Sequence, residues 1–376
     1  AGDAPVHLRL ERAERQVLQL PLELPDAQAV GQRRVDVAGQ PRQALALVVR
    51  QRPRVAHARQ LRGQQDRHHP QVAHDRQQQP AQALGVRTWV SGKGVDLDGC
   101  GAAANPCRTL QFAHDRTSAG GEIDILDPAG YGSIAISKSI SIVNDGAGLA
   151  GVLATGDKAI EIKAQATDDV LLKGLTIEGA NTATYGVVFD TGRKLTMSDC
   201  VVTGFLQSGI LLTPHSPVSR ISISSTRMAH NGSALGLITS LNSTDTSVVQ
   251  LDNVVANNNQ FGMSFYIQNA ATNVAILNSV TSNNDGAGIS ITESSAAFAT
   301  VMLDGLTSNS NATGLSVKAG SAGRGRTYIA RSTIMGNNQG VLFNDANALV
   351  YSFGNNQIVS NNTDIVSGTL QPVGLR

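Results

Sequence analysis

The chain has 376 residues, enough for two domains of ordinary size, and its 30 Lys and Arg almost balance 29 Asp and Glu. No run approaches the roughly 18 apolar residues of a membrane-spanning helix, and no charged–apolar–small leader opens the sequence, so no membrane span is expected. The near-zero charge hides a split, with a net +6 over residues 1–87 and −5 over 88–376.

Residues 1–87 use only Ala, Gly, Asp, Pro, Val, His, Leu, Arg, Glu and Gln. These ten types are the full set whose codons begin with G or C, and elsewhere they supply only about 60–70% of residues. Wrong-frame or wrong-strand reading of a GC-rich gene produces such a run, so 1–87 is expected to be a non-native or disordered extension. The alternative is a basic arm. Acids interrupt its arginines, however, and no aromatic side chain is there to stack on bases. His68, His69 and His74 fit random His codons better than a metal site.

Thr88 or Trp89 is expected to open the first strand, in "TWVSG". Cys100 and Cys107 then bracket a Gly-rich loop, and a disulfide there fits an oxidising compartment; free thiols are the alternative. Asn105-Pro106 reads as a helix N-cap and first residue, predicting a cap helix over 106–118 with Leu110, Ala113 and Thr117 on one face. Such a cap would cover the unpaired strand edges at one end of a solenoid. His114 is expected on its surface.

From Gly121 onward a repeat dominates. Gly236, Gly262, Gly288, Gly314 and Gly340 are spaced by 26 residues, with Gly209 and Gly186 before them. The columns Leu237, Met263, Ile289, Leu315, Val341 and Leu251, Leu277, Leu303, Ile329 share that period. Alternation over three or four residues is strand periodicity. A propeller blade needs about 40–45 residues, and the leucine-rich template is missing, so the expectation is all-β: a single-stranded right-handed parallel β-helix. Nine or ten coils at about 4.8 Å each would span roughly 45 Å. Asn257, Asn283 and Asn309 form one polar column, and Asn259, Asp285, Asn311 and Asn337 another. Both are expected to be structural ladders of side-chain amides rather than a ligand strip. Cys200 aligns with Leu175, which predicts a buried thiol rather than a nucleophile.

The coil "LNSVTSNNDGAGISI" resembles the repeat of the pectate-lyase-like superfamily, as do "TWVSG", "NPCRTLQ" and "GGEIDILDPAGYGSIAISKSISI". The resemblance covers 88–376 and none of 1–87. It implies the fold and an extracellular or cell-surface location, with a native signal peptide missing before "TWVSG". It does not imply one activity, since this fold hosts lyases, hydrolases, epimerases and non-enzymes.

No catalytic set is assigned from the residues. Lyases of this fold use acids that hold Ca²⁺, plus an Arg or Lys base; Ca²⁺ is expected here only if the protein is a lyase. Asp199, Thr226, Asp252, Asn278 and Asp304 form a column, in which Asp252 and Asp304 lie about 10 Å apart and read as a solvated stripe. Hydrolases need converging acids. The one adjacent pair, Asp168-Asp169, sits in a turn-like connection. The candidates are Asp252, Asp304, Arg331 and His215 for catalysis, and Arg220, Lys194 and Tyr266 for binding. "TPHSP" around His215 is faintly similar to the Asp-Pro-His of mannuronan epimerases, with Thr213 where the acid would stand. His230 reads as a turn residue, while Tyr185 and Phe261 lie near coil edges. The sequons at Asn231, Asn242, Asn311 and Asn361 match chance in an Asn- and Ser-rich chain. No nucleic-acid motif is present. The expected role is non-catalytic contact with polysaccharide or a cell-surface glycan, against a uronate lyase or epimerase, or a purely structural or adhesive solenoid.

Overall fold

A computed structural model describes residues 84–239, 244–268, 271–294, 298–320 and 325–374. The expectations for residues 1–83, including the three histidines, and for Asn242 lie outside them. The described chain winds through three parallel sheets: a first of twelve strands beginning with Gly85–Val90, a second of ten beginning with Ala129–Gly130, and a third of ten beginning with Ile134–Ile136. Each passage round the axis adds one strand to each sheet, and every pairing between named strands is parallel. Alternation explains the winding: inward Val, Ile and Leu stack coil on coil, while the residues between them face out. Ile221, Val249, Val274 and Val301 form one such interior column, and Ile223, Leu251, Ile276, Leu303 and Ile329 the next.

The first strand spans Gly85–Val90 and takes in three residues that the compositional boundary had left outside. It pairs with Thr117–Ile125, and Arg87 bridges to Glu122 and Asp124. Cys100 and Cys107 are joined by a disulfide with Cα atoms 5.0 Å apart. The helix that follows, α1, spans Leu110–Arg116 rather than 106–118. Cys107 explains the difference. Its N–H donates to the Trp89 carbonyl and its own carbonyl accepts from Ser91, so residues beside it are held as a bridge to the first strand. The N-cap is therefore Thr109, whose hydroxyl accepts the Phe112 N–H, and the Asp96 carboxylate fixes Arg108 and Thr109. Asn105 instead donates its amide to the Gly99 carbonyl. Leu110, Ala113 and His114 face the core, which corrects the surface placement of His114. Only 3% exposed, its ring takes the Ser137 N–H on Nε2 while Nδ1 meets Asp115, and burial lowers its pKa.

Two corners of each coil carry the polar signature. Between the first and second sheets, one left-handed residue turns the chain: Gly174, Asp199, Ser225, Asn253, Asn278, Gly305 and Arg331 all have positive φ. The next residue always points inward, which places Cys200 in the column of Leu175, as expected. Between the second and third sheets, His230, Asn258, Asn283, Ser310, Gly336 and Ser360 are left-handed. Each is followed by the true ladder: Asn231, Asn259, Asn284, Asn311, Asn337 and Asn361. In every step the backbone N–H and side-chain Nδ2 of one Asn donate to Oδ1 of the next, at 2.8–3.1 Å. The Phe205 N–H donates to Asn231 at one end, and Asn361 donates to the Asp364 carboxylate at the other.

Several expected columns therefore shift by one or two residues. Asn284, not Asp285, fills the ladder; Asp285 is exposed. Asn283 sits in the left-handed turn, so Asn257 pairs with Ser282 and Ser282 with Asn309. Leu277 faces outward and Ile276 takes the core slot. Leu235, not Leu237, stacks on Met263, and Ala234 occupies the slot that Gly209 and Gly262 fill on neighbouring coils.

Candidate functional site

On the first sheet the acidic stripe does not form as expected. Ser224, Asp252, Leu277 and Asp304 are successive partners, so Leu277 separates the two acids and Asn278 sits in the corner. Asn278 Nδ2 donates to Asp252 at 3.0 Å. Arg331 reaches back one coil from its left-handed corner and grips Asp304 through Nε and Nη2, at 2.7 and 2.6 Å. That guanidinium holds the Asp304 carboxyl below its ordinary range, and Asp304 in turn raises Arg331. The candidate acid and the candidate base neutralise each other.

Lys194 and Arg220 are partners on adjacent coils, both exposed. Asp169 is in register with Lys194, but Arg193 holds it at 2.8 and 2.5 Å. Lys194 and Arg220 are in no ion pair among the described residues. The Asp168 carboxylate accepts from the Ser139 hydroxyl and from the Gln165 N–H, both at 2.8 Å, so the adjacent acids serve separate connections.

The third sheet gathers more. Its outward column runs Glu161, Val188, Leu211, Gly236, Ser264, Ser290, Ser316 and Leu342. Beside it lies a second column, Ile238, Tyr266, Thr292 and Lys318. Tyr266 is 43% exposed. At the same edge, a few coils earlier, His215 Nδ1 meets Asp190 at 2.6 Å, and the His215 N–H donates to the Asp190 carbonyl at 2.9 Å. Lys163 pairs with Thr191 on the following coil, and its ammonium is bound to Glu161 at 2.9 Å. Glu161, and more weakly Asp190, keep that Lys protonated. The carboxylate missing from the local sequence at His215 thus comes from 25 residues earlier. Only the coil register could have revealed it.

Other groups stand apart. The Tyr185 hydroxyl donates to Gln207 Oε1 at 2.5 Å, and the Phe261 ring packs over Gly286. His230 is an exposed left-handed turn residue. Tyr328 and Tyr351 stack on the first sheet with ring centres 5.2 Å apart, and Phe353 lies 6.4 Å from Tyr328; the sequence reading passed over all three. Burial pushes the Cys200 thiol up to about 12, which leaves it inert. Glu293 ends the strand Ala287–Glu293 pointing inward, 4% exposed. Burial pushes its carboxyl up to about 7 against the pull of a Gly325 N–H, with Asp345 adding to the rise, and its Oε2 has no partner among the described residues.

Of the comparisons with known proteins, the family model agrees with this architecture. No curated protein matches the chain. A crystal structure of pectate lyase Pel9A superposes with a TM-score of 0.48 at 15% identity, covering 76% of this chain and 77% of that one. Residues 158–322 match the family model described as a right-handed β-helix region, and the fold is a right-handed parallel β-helix.

Proposed function

We propose that this β-helix contacts polysaccharide, outside the cell or at its surface, without turning it over. The observation that carries the reading is the Asp304–Arg331 pair. A lyase base must release its charge to take a proton, and an acid–metal site needs carboxylates free to bind; here each group occupies the other. The Cys100–Cys107 disulfide supports the oxidising location. The exposed Lys194–Arg220 pair and Tyr266 supply surface donors for a glycan.

A second reading, a uronate lyase or epimerase, draws on one observation. Asp190 orients His215 so that Nε2 is left as a proton acceptor at the rim of the third sheet. Incubation with pectate and with alginate, each with Ca²⁺, separates the two. Binding with no unsaturated-uronate absorbance and no change of uronate epimers by proton NMR is the expected outcome. Either signal, lost in His215→Ala, would replace the contact reading with the enzymatic one. Binding to no glycan would leave a structural or adhesive solenoid.

A further inference from the structure

Three buried side-chain oxygens have no partner among the described residues: Glu293 Oε2, Ser294 Oγ and Thr327 Oγ1. All three belong to the turn that leaves the third sheet and enters the first. Glu293 ends its strand in a core column, stacked between Ile267 and Ala319. Ser294 follows it, with its N–H donating to the Ile267 carbonyl. One coil later the chain passes the same corner through Gly325 and enters the strand Arg326–Ala330. A Cβ on Gly325 would coincide with the Glu293 carboxylate, so that head group fills the space a side chain would take there. Thr327, two residues on and 1% exposed, faces the interior from that strand. Buried oxygens without partners are costly and rare, and three at one corner point to a ligand.

A second carboxylate faces this corner. Asp345 Oδ2 accepts the N–H of Ala319, the residue stacked directly on Glu293, at 3.0 Å, and its charge acts on the Glu293 carboxyl. Its Oδ1 takes the Asn347 N–H at 3.0 Å. Neither acid is in an ion pair among the described residues. Two like charges therefore share the corner, and the donors around them are all oxygen. Carboxylates and hydroxyls suit a hard divalent cation such as Ca²⁺, whereas Zn²⁺ favours nitrogen and sulfur. The two carboxylate charges match the two of the ion. Asp345 is half-buried, so the corner reaches solvent on that side. Water entering there completes the roughly six to eight oxygens that Ca²⁺ takes.

We propose that Glu293, Ser294, Thr327 and Asp345 form a structural Ca²⁺ site inside the turn between the third and first sheets. The ion joins successive passages of the chain and neutralises the one acid that the core column holds. The site is separate from the outward Asp252 and Asp304, the second of which Arg331 already grips. Glycan contact does not require this ion, so the two readings fail separately.

Thermal melting of the full chain at pH 8, in EDTA and then in excess Ca²⁺, tests it; the Glu293 carboxyl, raised to about 7, is ionised there. Ca²⁺ should raise the melting temperature of the parent by several degrees, as binding to the folded state does when free ion exceeds Kd about a hundredfold. Glu293→Gln keeps an acceptor for the Gly325 N–H, so it should fold in EDTA and melt no lower than the parent, yet lose the Ca²⁺ response. Circular dichroism checks that fold. Thr327→Val, the same shape without the hydroxyl, should weaken binding severalfold by isothermal titration. The same titration should count one ion per parent chain and none in Glu293→Gln. Asp252→Asn, on the outward stripe, should keep the full response. No response in the parent, or one that Glu293→Gln retains or Asp252→Asn removes, would overturn the site. A response to Zn²⁺ and not to Ca²⁺ would overturn the ligand class.

Discussion

Glu293 is a carboxyl group in the wrong solvent, and replacing it by Gln should stabilise the protein at alkaline pH. Its side chain lies inside a coil corner, burial pushes its pKa from 4.5 up to about 7, and the negative field of Asp345 adds to that rise. The folded state therefore holds this proton more tightly than the unfolded chain does. Stability is unaffected below about pH 4.5, falls as pH rises through the interval, and reaches its full loss above about 7. A shift of this size corresponds to about 3 kcal/mol. Glu293→Gln removes the charge and keeps an acceptor for the Gly325 N–H. The variant and parent should melt together near pH 4 and separate progressively to pH 8, the variant by several degrees higher. Denaturant midpoints at matched pH give the same comparison in free energy. A difference that is constant with pH, or a variant less stable at pH 8, would show that Glu293 carries its charge without penalty and would refute the reasoning.

Three further outcomes follow from the register. Asn284→Ala should cost about 2–4 kcal/mol, because it leaves buried N–H and C=O groups unpaired on two neighbouring coils, whereas Asp285→Ala should stay within about 0.5 kcal/mol. Chemical denaturation of both variants decides between the two ladders. Ile276→Ala should likewise cost about 2–5 kcal/mol and Leu277→Ala much less, since only the first opens a cavity; equal losses would contradict the pairing. Reducing the Cys100–Cys107 bond should cost roughly 2.5 kcal/mol by loop entropy, read as a lower melting temperature in reductant.

The repeat, the sheet type and the burial of Cys200 were legible in the sequence because the core columns alternate within each short strand. The register was only partly legible. Glycines spaced by 26 suggested a constant coil, yet the paired positions Ala229, Asn257, Ser282, Asn309 and Met335 are separated by 28, 25, 27 and 26 residues. One residue gained or lost at a corner moves an Asn from the ladder into the turn, which is how Asn283 and Asp285 were misplaced. The α1 start was hidden because a bridge from Cys107 to the first strand outcompetes the Asn-Pro signal. Asp190 and His215 meet through neighbouring coils, and Arg331 meets Asp304 the same way. Local motifs cannot report such contacts, so the candidate site was less readable than the fold.

The asparagine stack also has a sense of direction. Every link donates toward the later coil, so six amide dipoles add head to tail and the row becomes electrically polar, with its positive pole at Asn361. There it meets Asp364, whose Oδ1 accepts both hydrogen bonds and donates none onward to a further amide. The carboxylate thus acts as a terminator: it stabilises the accumulated dipole and ends the relay in a single residue, much as an acid does at the start of a helix.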